Sequence, residues 1–453
     1  MPEAYEQSLS SQTLHELTAA LNRGMFVHVR NSLHNMPAVD VAFILESTPV
    51  KTRYAFWQLI DSEFHGEILE ELSEDVRTSI VRQMMPEAVA EATEGMDTDD
   101  LAQVLRSLPD ELYQEVLNSL DHQDRHRAEA ALAYDEYTAG SVMNTDTVTI
   151  RPDVTVEVVL RYLRMRADLP KNTDSLYVVD ENDVLIGEIT LSKLVTSQPD
   201  LLIAQLMNTE VNPIPATMSE SEAAQQFERY NWVSAAVVNE QNHLLGRITI
   251  DDMVDIIRED AEHSMMSMAG LDDEEDTFAP VVQSTKKRSI WLGVNLLTAL
   301  LAAMVSNLFE DILSQLAVLA ILNTIVPSMG GVAGNQTLTL VIRAMALGHV
   351  LPSNTRSLLI KELTVGLLNG AIWAVLIAGI VGIWKQDLTL AFIIAFAMLM
   401  NMLAAGISGV TIPLMLKKFK IDPALAGSVI LTTVTDIIGI FAFLGSASLL
   451  LSV

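Results

Sequence analysis

The sequence ALAGSVILTTVTDIIGIFAFLGSASLLL, residues 424 to 451, is long and apolar enough to cross a bilayer as a helix, yet it carries one carboxylate, Asp436. An acid at mid-membrane costs about 2.5 to 3.5 kcal/mol on insertion scales, so such a group ordinarily faces a bundle interior or a watery path. Counting from Asp436 at helical spacing reaches Ser428, Thr432, Thr433 and Gly439, a stripe of small and polar residues on one face. That stripe reads as a pore lining. The alternative is a small-residue seam for helix packing with one acid in it.

Around this helix the chain divides by charge. From Lys286 onward there are ten Lys+Arg and six Asp+Glu, a net of +4; residues 1 to 285 hold 18 and 52, a net of −34. A part that acidic is a poor binder of nucleic acid, whose phosphates need the opposite sign. It is a plausible collector of divalent cations, although solubility alone also accounts for the charge. Cysteine is absent, which excludes disulfides and thiolate metal sites and suits a reducing cytoplasm. The opening MPEAYEQSLSSQ is polar and lacks the apolar core of a signal peptide.

Residues 1 to 137 read as an acidic all-α domain. VDVAFILESTP (Val39 to Pro49) aligns with DDLAQVLRSLP (Asp99 to Pro109), each an apolar helical face ending in a Pro stop, which suggests a small superhelix. Within it MDTDD (Met96 to Asp100) either caps a helix or offers carboxylates to a metal, and capping is the commoner use. His122 and His126 stand at i, i+4 with no HExxH-type Glu between them, and read as surface histidines.

Between residues 138 and 260 short β-branched runs alternate with amphipathic helices, and the unit repeats. VMNTDTVTI (from Val142) returns as LMNTEVNPI (from Leu206), and LYVVDENDVLIGEITLSKLV (from Leu176) returns as AAVVNEQNHLLGRITIDDMV (from Ala235). This duplicated βαββα unit resembles a CBS pair. The resemblance implies a regulatory α/β module that often takes ATP or another adenine nucleotide. Only the second copy keeps a candidate ribose-contacting pair, Thr249 and Asp252; the first has Thr190 followed by Lys193. No Walker loop, GxSxG or HExxH occurs, so nothing argues for an enzyme.

Residues 261 to 288 form an acidic, Pro-bounded linker and a short connecting helix with Lys286, Lys287 and Arg288. Residues 289 to 453 hold five spans, about 289 to 308, 315 to 347, 357 to 384, 388 to 416 and 424 to 451. Arg356, Lys361, Lys417, Lys418 and Lys420 mark one side and Glu310, Asp311 and Asp387, with a single Lys385, the other, which places the N-terminus inside and the C-terminus outside. PSMGGVAGNQT (Pro327 to Thr337) interrupts the second span. Its glycines permit close approach or unwinding, and its Asn335 and Gln336 can turn amide oxygens to an ion or water. Asn401 is a weaker candidate of the same kind.

The order of parts, with GGVAGNQT, GVTIPLMLKKF, IDPALA and TTVTDIIG in the spans, resembles the MgtE family of magnesium transporters or channels over essentially the whole chain. The resemblance implies a homodimer in the inner membrane with one pore at the subunit interface. It also implies Mg²⁺ contact by the last-span acid and cytosolic domains that close the pore when internal Mg²⁺ is high. The family's pore acid falls on Asp436 and its second-span Asn on Asn335; where the family often has Asn eight residues before the acid, this chain has Ser428. Regulatory acids match Asp97, Asp252, Asp255 and Asp260, while three positions where acids are common read Asn231, His263 and Ser264. Two other functions stand beside this one: a CBS-regulated carrier of another divalent metal, and a membrane-anchored nucleotide sensor without transport.

Overall fold

The computed structural model describes residues 13–94, 96–120, 122–166, 169–271 and 276–451. The polar opening at 1–12 and the connector acids at 272–275 lie outside them. One compact unit runs through Asp260 and takes in the segment ending at Pro280; the other comprises residues 261–271 and Val281 onward.

Residues 13–22 form α1, followed by α2 (Phe26–His34), α3 (Ala38–Glu46), α4 (Val50–Trp57), α5 (His65–Glu71), α6 (Glu74–Val81), α7 (Pro86–Ala92), α8 (Thr98–Arg106), α9 (Asp110–Ser119) and α10 (His122–Leu132). The ESTP and RSLP repeats prove to be corners. In each, Ser is the C-cap of one helix and Pro, two residues on, the N-cap of the next. Proline suits that place because its ring fixes φ and it has no N–H to leave unpaired at a helix start. The inner faces bury Leu45, Phe56, Leu69, Val81 and Leu105 in one core.

Two three-stranded sheets follow. In the first, β1 (Thr149–Ile150) pairs parallel with β2 (Ser175–Val179), which pairs antiparallel with β3 (Leu185–Thr190). The second repeats this with β4 (Ile214–Pro215), β5 (Ser234–Val238) and β6 (Leu244–Thr249), down to a register shift at the same place, Val178/Val179 and Val237/Val238. Helices α11 (Val156–Met165), α12 (Leu191–Thr196) and α13 (Ile203–Leu206) belong to the first copy, and α14 (Glu220–Tyr230) and α15 (Ile250–Met268) follow in the second. The repeated MNT segments explain the repeated glycines. Each crosses the other copy's sheet, Asn144 bridging to Arg247 and Asn208 to Glu188. A Cβ on Gly246 would stand 2.6 Å from the Asn144 carbonyl oxygen, and one on Gly187 2.8 Å from that of Asn208.

In the second unit five helices are long and apolar enough to cross a membrane. The connecting helix and first span are one helix, α16 (Val281–Asn307), roughly 40 Å long at 1.5 Å per residue. After α17 (Glu310–Gln315) and α18 (Ala317–Leu322) a turn at Asn323 and Thr324 leads into α19 (Ile325–Ala346). The expected interruption therefore precedes the glycine motif. Residues 327 to 337 are continuous helix, and their glycines serve close approach: Gly330 is packed on the Asn401 side chain and Gly334 on Leu431. Then come α20 (Thr355–Lys385), α21 (Leu388–Lys418) and α22 (Pro423–Leu450). The middle of the bundle is α21, which buries Ile393, Ala397, Asn401 and Gly406 among others.

Candidate functional site

Helix α22 starts at a designed-looking cap, with Asp422 accepting from the backbone N–H of Ala424 and Leu425 at 2.9 and 3.2 Å. Four turns later its sole ionisable residue, Asp436, is half-buried. Ser428 and Thr432, at i−8 and i−4, share that condition; the Thr432 hydroxyl donates back to the Ser428 carbonyl at 2.8 Å. Across from them, Ser428 Oγ donates to Asn335 Oδ1 of α19 at 3.1 Å. The structure thus gathers Ser428, Thr432, Asp436 and Asn335 along one partly open face.

Two members expected of that face belong elsewhere. Gly439 is buried, with a Cβ there meeting Asn401 and Pro327, so it serves the packing seam. Asn401 is fully buried, and its amide donates to the Val326 carbonyl at 2.7 Å. That bond ties α21 to the first turn of α19, while Asn401 Oδ1 has no hydrogen-bond partner among the described residues. Sequence reasoning also passed over Glu362 of α20, 3% exposed, which accepts from Thr337 Oγ1 at 3.0 Å and pairs with Lys361 at 2.9 Å. The signal was present in KELTVG: an acid entering an apolar run, the same anomaly that singled out Asp436.

In the first unit the acids of MDTDD are not spent on capping. Asp97 occupies the N-cap of α8 but its side chain makes no cap hydrogen bond, and Asp99 is buried. Asp99 and Asp252, at the start of α15, bring two carboxyls close enough to act on each other, and Asp99 Oδ1 is left unpartnered. Burial, then Asp252, Asp100 and Asp97, drive the Asp99 carboxyl well above its ordinary range. Asp100 is pushed up to about 7 by burial and then by Glu70, with Arg77 opposing; Asp252 is pushed up to about 6 by burial and then by Asp251. Such a group holds protons or a cation.

The remaining regulatory candidates separate. Asp255 is exposed and pairs with Arg258 at 3.1 Å. Asp260 is exposed nearer to Glu220, whose carboxyl burial and then Asp260 push up to about 7. Of the three positions where the resemblance leads one to expect acids, Asn231 takes the left-handed C-cap of α14 (φ 53°). His263 Nε2 lies 3.2 Å from Asp422 Oδ2. His122 and His126 are exposed.

Thr249 and Asp252 are engaged with each other, the Thr249 N–H and hydroxyl reaching Asp252 Oδ2 at 3.1 and 3.0 Å. Beside them lies a cavity of about 590 Å³ whose walls include Asn172, Asp174, Val233, Asp251 and Asp255 and, among the described residues, no basic side chain. A nucleotide phosphate entering it would need an accompanying cation.

The MgtE family model, described as a divalent cation transporter, matches residues 323–446; the MgtE intracellular N domain matches 36–137 and the CBS domain 139–200 and 203–259. The chain is 29% identical to the magnesium transporter MgtE of Bacillus subtilis over 430 residues, 94% of this chain and 95% of that one. It is 31% identical to the magnesium transporter MgtE of Enterococcus faecalis over 318 residues, 70% of each. A solved structure, the cytosolic domain of the Mg²⁺ channel MgtE in complex with ATP, covers 54% of this chain and 99% of its own at 29% identity, with a TM-score of 0.50.

Proposed function

The chain belongs to the MgtE family, and from that premise we propose that it is a multi-pass transporter of Mg²⁺, not an enzyme, whose ions pass along the row formed by Asn335, Ser428, Thr432 and Asp436 and whose cytosolic domains regulate them. The observation that carries this reading is Asp436 itself, half-buried on a helix with no other charge. On a lone chain in lipid that carboxylate would be only partly covered, at a cost of kilocalories. A second copy across the row converts it into a pair of acids around a watery path, so the reading includes a homodimer. Mg²⁺ suits such a path because it sheds water reluctantly and is commonly held by one or two carboxylates plus waters.

Regulation follows from the acids of the first unit. Asp99, Asp100 and Asp252, with Asp97 beside them, would hold a regulatory divalent ion; the unpartnered buried Asp99 oxygen and the neighbouring Asp252 carboxyl fit that donor set. When bound, the ion neutralises carboxylates that otherwise repel. Asp255 and Asp260 extend the acidic surface along α15. An adenine nucleotide would enter beside Thr249 and Asp252, bringing its phosphates as a metal complex. On this reading the side carrying Lys361, Lys417, Lys418 and Lys420 is cytoplasmic, with the N-terminus inside and the C-terminus outside the inner membrane; the excess of basic residues on that side supports it.

The test is flux. Purified protein in liposomes loaded with a Mg²⁺ indicator should admit Mg²⁺ down its gradient without ATP, and a tenfold excess of another divalent metal should not abolish the signal. Entry no faster than into protein-free liposomes would overturn the transport reading and leave the nucleotide sensor.

A further inference from the structure

At the end of the bundle where α21 turns into α22 lies a cavity of about 380 Å³ that the ion path does not use. That size falls in the range of about 300 to 1,000 Å³ typical of small-molecule clefts. Its walls are of two kinds. Ile342 and Met345 of α19 make an apolar side, and Lys417 and Lys420 bring two positive charges. Their main chains join at the turn, Lys420 N–H donating to the Lys417 carbonyl at 3.1 Å, while among the described residues neither ammonium has an ion-pair or hydrogen-bond partner. Lys420 stands in the left-handed region (φ 59°) at the tight turn between the helices.

The one acid in the lining, Asp422, is already engaged. Its oxygens accept from the backbone of Ala424 and Leu425, and Oδ2 also meets His263. The cavity therefore offers unpaired positive charge over an apolar wall at the end of membrane-spanning helices. Exposed apolar side chains also occur close by in the chain, Met415 at 56%, Phe419 at 66% and Leu347 at 45%. A free inorganic anion would gain nothing from that surface; an amphiphile would be held at both ends.

We propose that this cavity binds an anionic phospholipid, its headgroup phosphate between Lys417 and Lys420 and its acyl chains on the neighbouring apolar surface. Basic pockets between membrane helices on the cytoplasmic side suit anionic headgroups, and lysines there sit close to the negative leaflet. Ser264 of α15 is also part of the wall. A bound headgroup therefore contacts the helix that continues from the CBS pair, so lipid composition bears on the same helix that carries the regulatory acids. The assignment goes beyond ion transport and rests on the proposed membrane placement, with the turn between α21 and α22 on the cytoplasmic side.

The experiment is native mass spectrometry of the full-length protein in detergent, titrated with phosphatidylglycerol, with phosphatidylcholine, and with inorganic phosphate. Wild type should retain phosphatidylglycerol in preference to phosphatidylcholine. Lys417→Gln/Lys420→Gln should bind it about 30-fold more weakly, the product of what two lysines near an anionic surface contribute. Lys385→Gln, which removes a charge stacked on Trp384 at the far end of α20, should bind as wild type does. Unchanged phosphatidylglycerol affinity in the double variant would overturn the site, and inorganic phosphate competing as well as the lipid would overturn the lipid as its occupant. Flux in the same preparations reports separately on the ion path.

Discussion

Ser428 and Asn335 join two helices by a single hydrogen bond of 3.1 Å, and it lies on the same half-buried face as Asp436, two turns along α22. An interhelical bond of this kind in a membrane contributes about 0.6 kcal/mol. Ser428→Ala should therefore leave the fold intact and lower Mg²⁺ flux several-fold at most, since water can replace a neutral hydroxyl. Ser428→Leu, which fills the face with hydrocarbon, should abolish flux at unchanged melting temperature. Liposome uptake beside thermal unfolding checks both; full flux in Ser428→Leu would remove this row from the path.

The carboxyls of Asp100 and Asp252 are raised to about 7 and about 6, chiefly by burial. Acids raised in the folded state cost stability once ionised. That cost is absent below about pH 4, grows as pH rises and is complete above about pH 7. In the absence of Mg²⁺, the full-length protein should thus melt higher at pH 5.5 than at pH 7.5. Mg²⁺ replaces protons there, so its own stabilisation should be larger at pH 7.5. Asp252→Asn should shrink both effects; a melting temperature that falls on acidification across this window would contradict the arrangement.

His263 Nε2 on α15 lies 3.2 Å from Asp422 Oδ2. Histidine can face a carboxylate unaided, whereas two acids there need a cation between them. His263→Glu should make internal Mg²⁺ inhibit flux at lower concentrations than in wild type, and His263→Gln should not. Identical inhibition curves for the two variants would show that this contact plays no part in sensing.

Arg53, 1% exposed, donates to the Leu45 and Thr48 carbonyls at 2.9 and 3.2 Å and to Asp276 at 2.9 Å. Asp276 is five residues before α16, so the connector is tied to α4 just ahead of the first span. Removing one partner of a buried pair costs about 3 kcal/mol. Asp276→Ala should lower the unfolding free energy by that order and expose the connector to protease. Unchanged cleavage would mean the tie does not restrain it.

Much of the fold was legible because it repeats or is extreme in composition. The MNT segments and the glycines they cross recur at matched positions, and five apolar runs need no tertiary context to be found. The acid pair of Asp99 and Asp252 was not legible, because 153 positions separate them and MDTDD at a helix start looks the same whether it caps or faces another domain. The amide of Asn401 shows a related difficulty. An amide in an apolar helix carries the same letter whether it turns to water or, as here, to the Val326 carbonyl. Glu362 went unremarked although its sequence context matched that of Asp436; what distinguishes them is that Thr337 and Lys361 satisfy the former.

The central claim is that Asp436 faces the moving ion, and Asp436→Asn tests it most directly. Asparagine is nearly isosteric and enters a membrane at lower cost than a carboxylate, so the variant should fold. It removes the charge that offsets partial loss of ion hydration. Thr432→Ala, one turn away, takes out only a hydroxyl that already bonds to its own helix. Mg²⁺ uptake into liposomes by purified Asp436→Asn, with thermal stability measured alongside, should fall at least tenfold at unchanged stability, while Thr432→Ala keeps most of its flux. Normal uptake by Asp436→Asn would reduce that carboxylate to a packing feature and contradict the account.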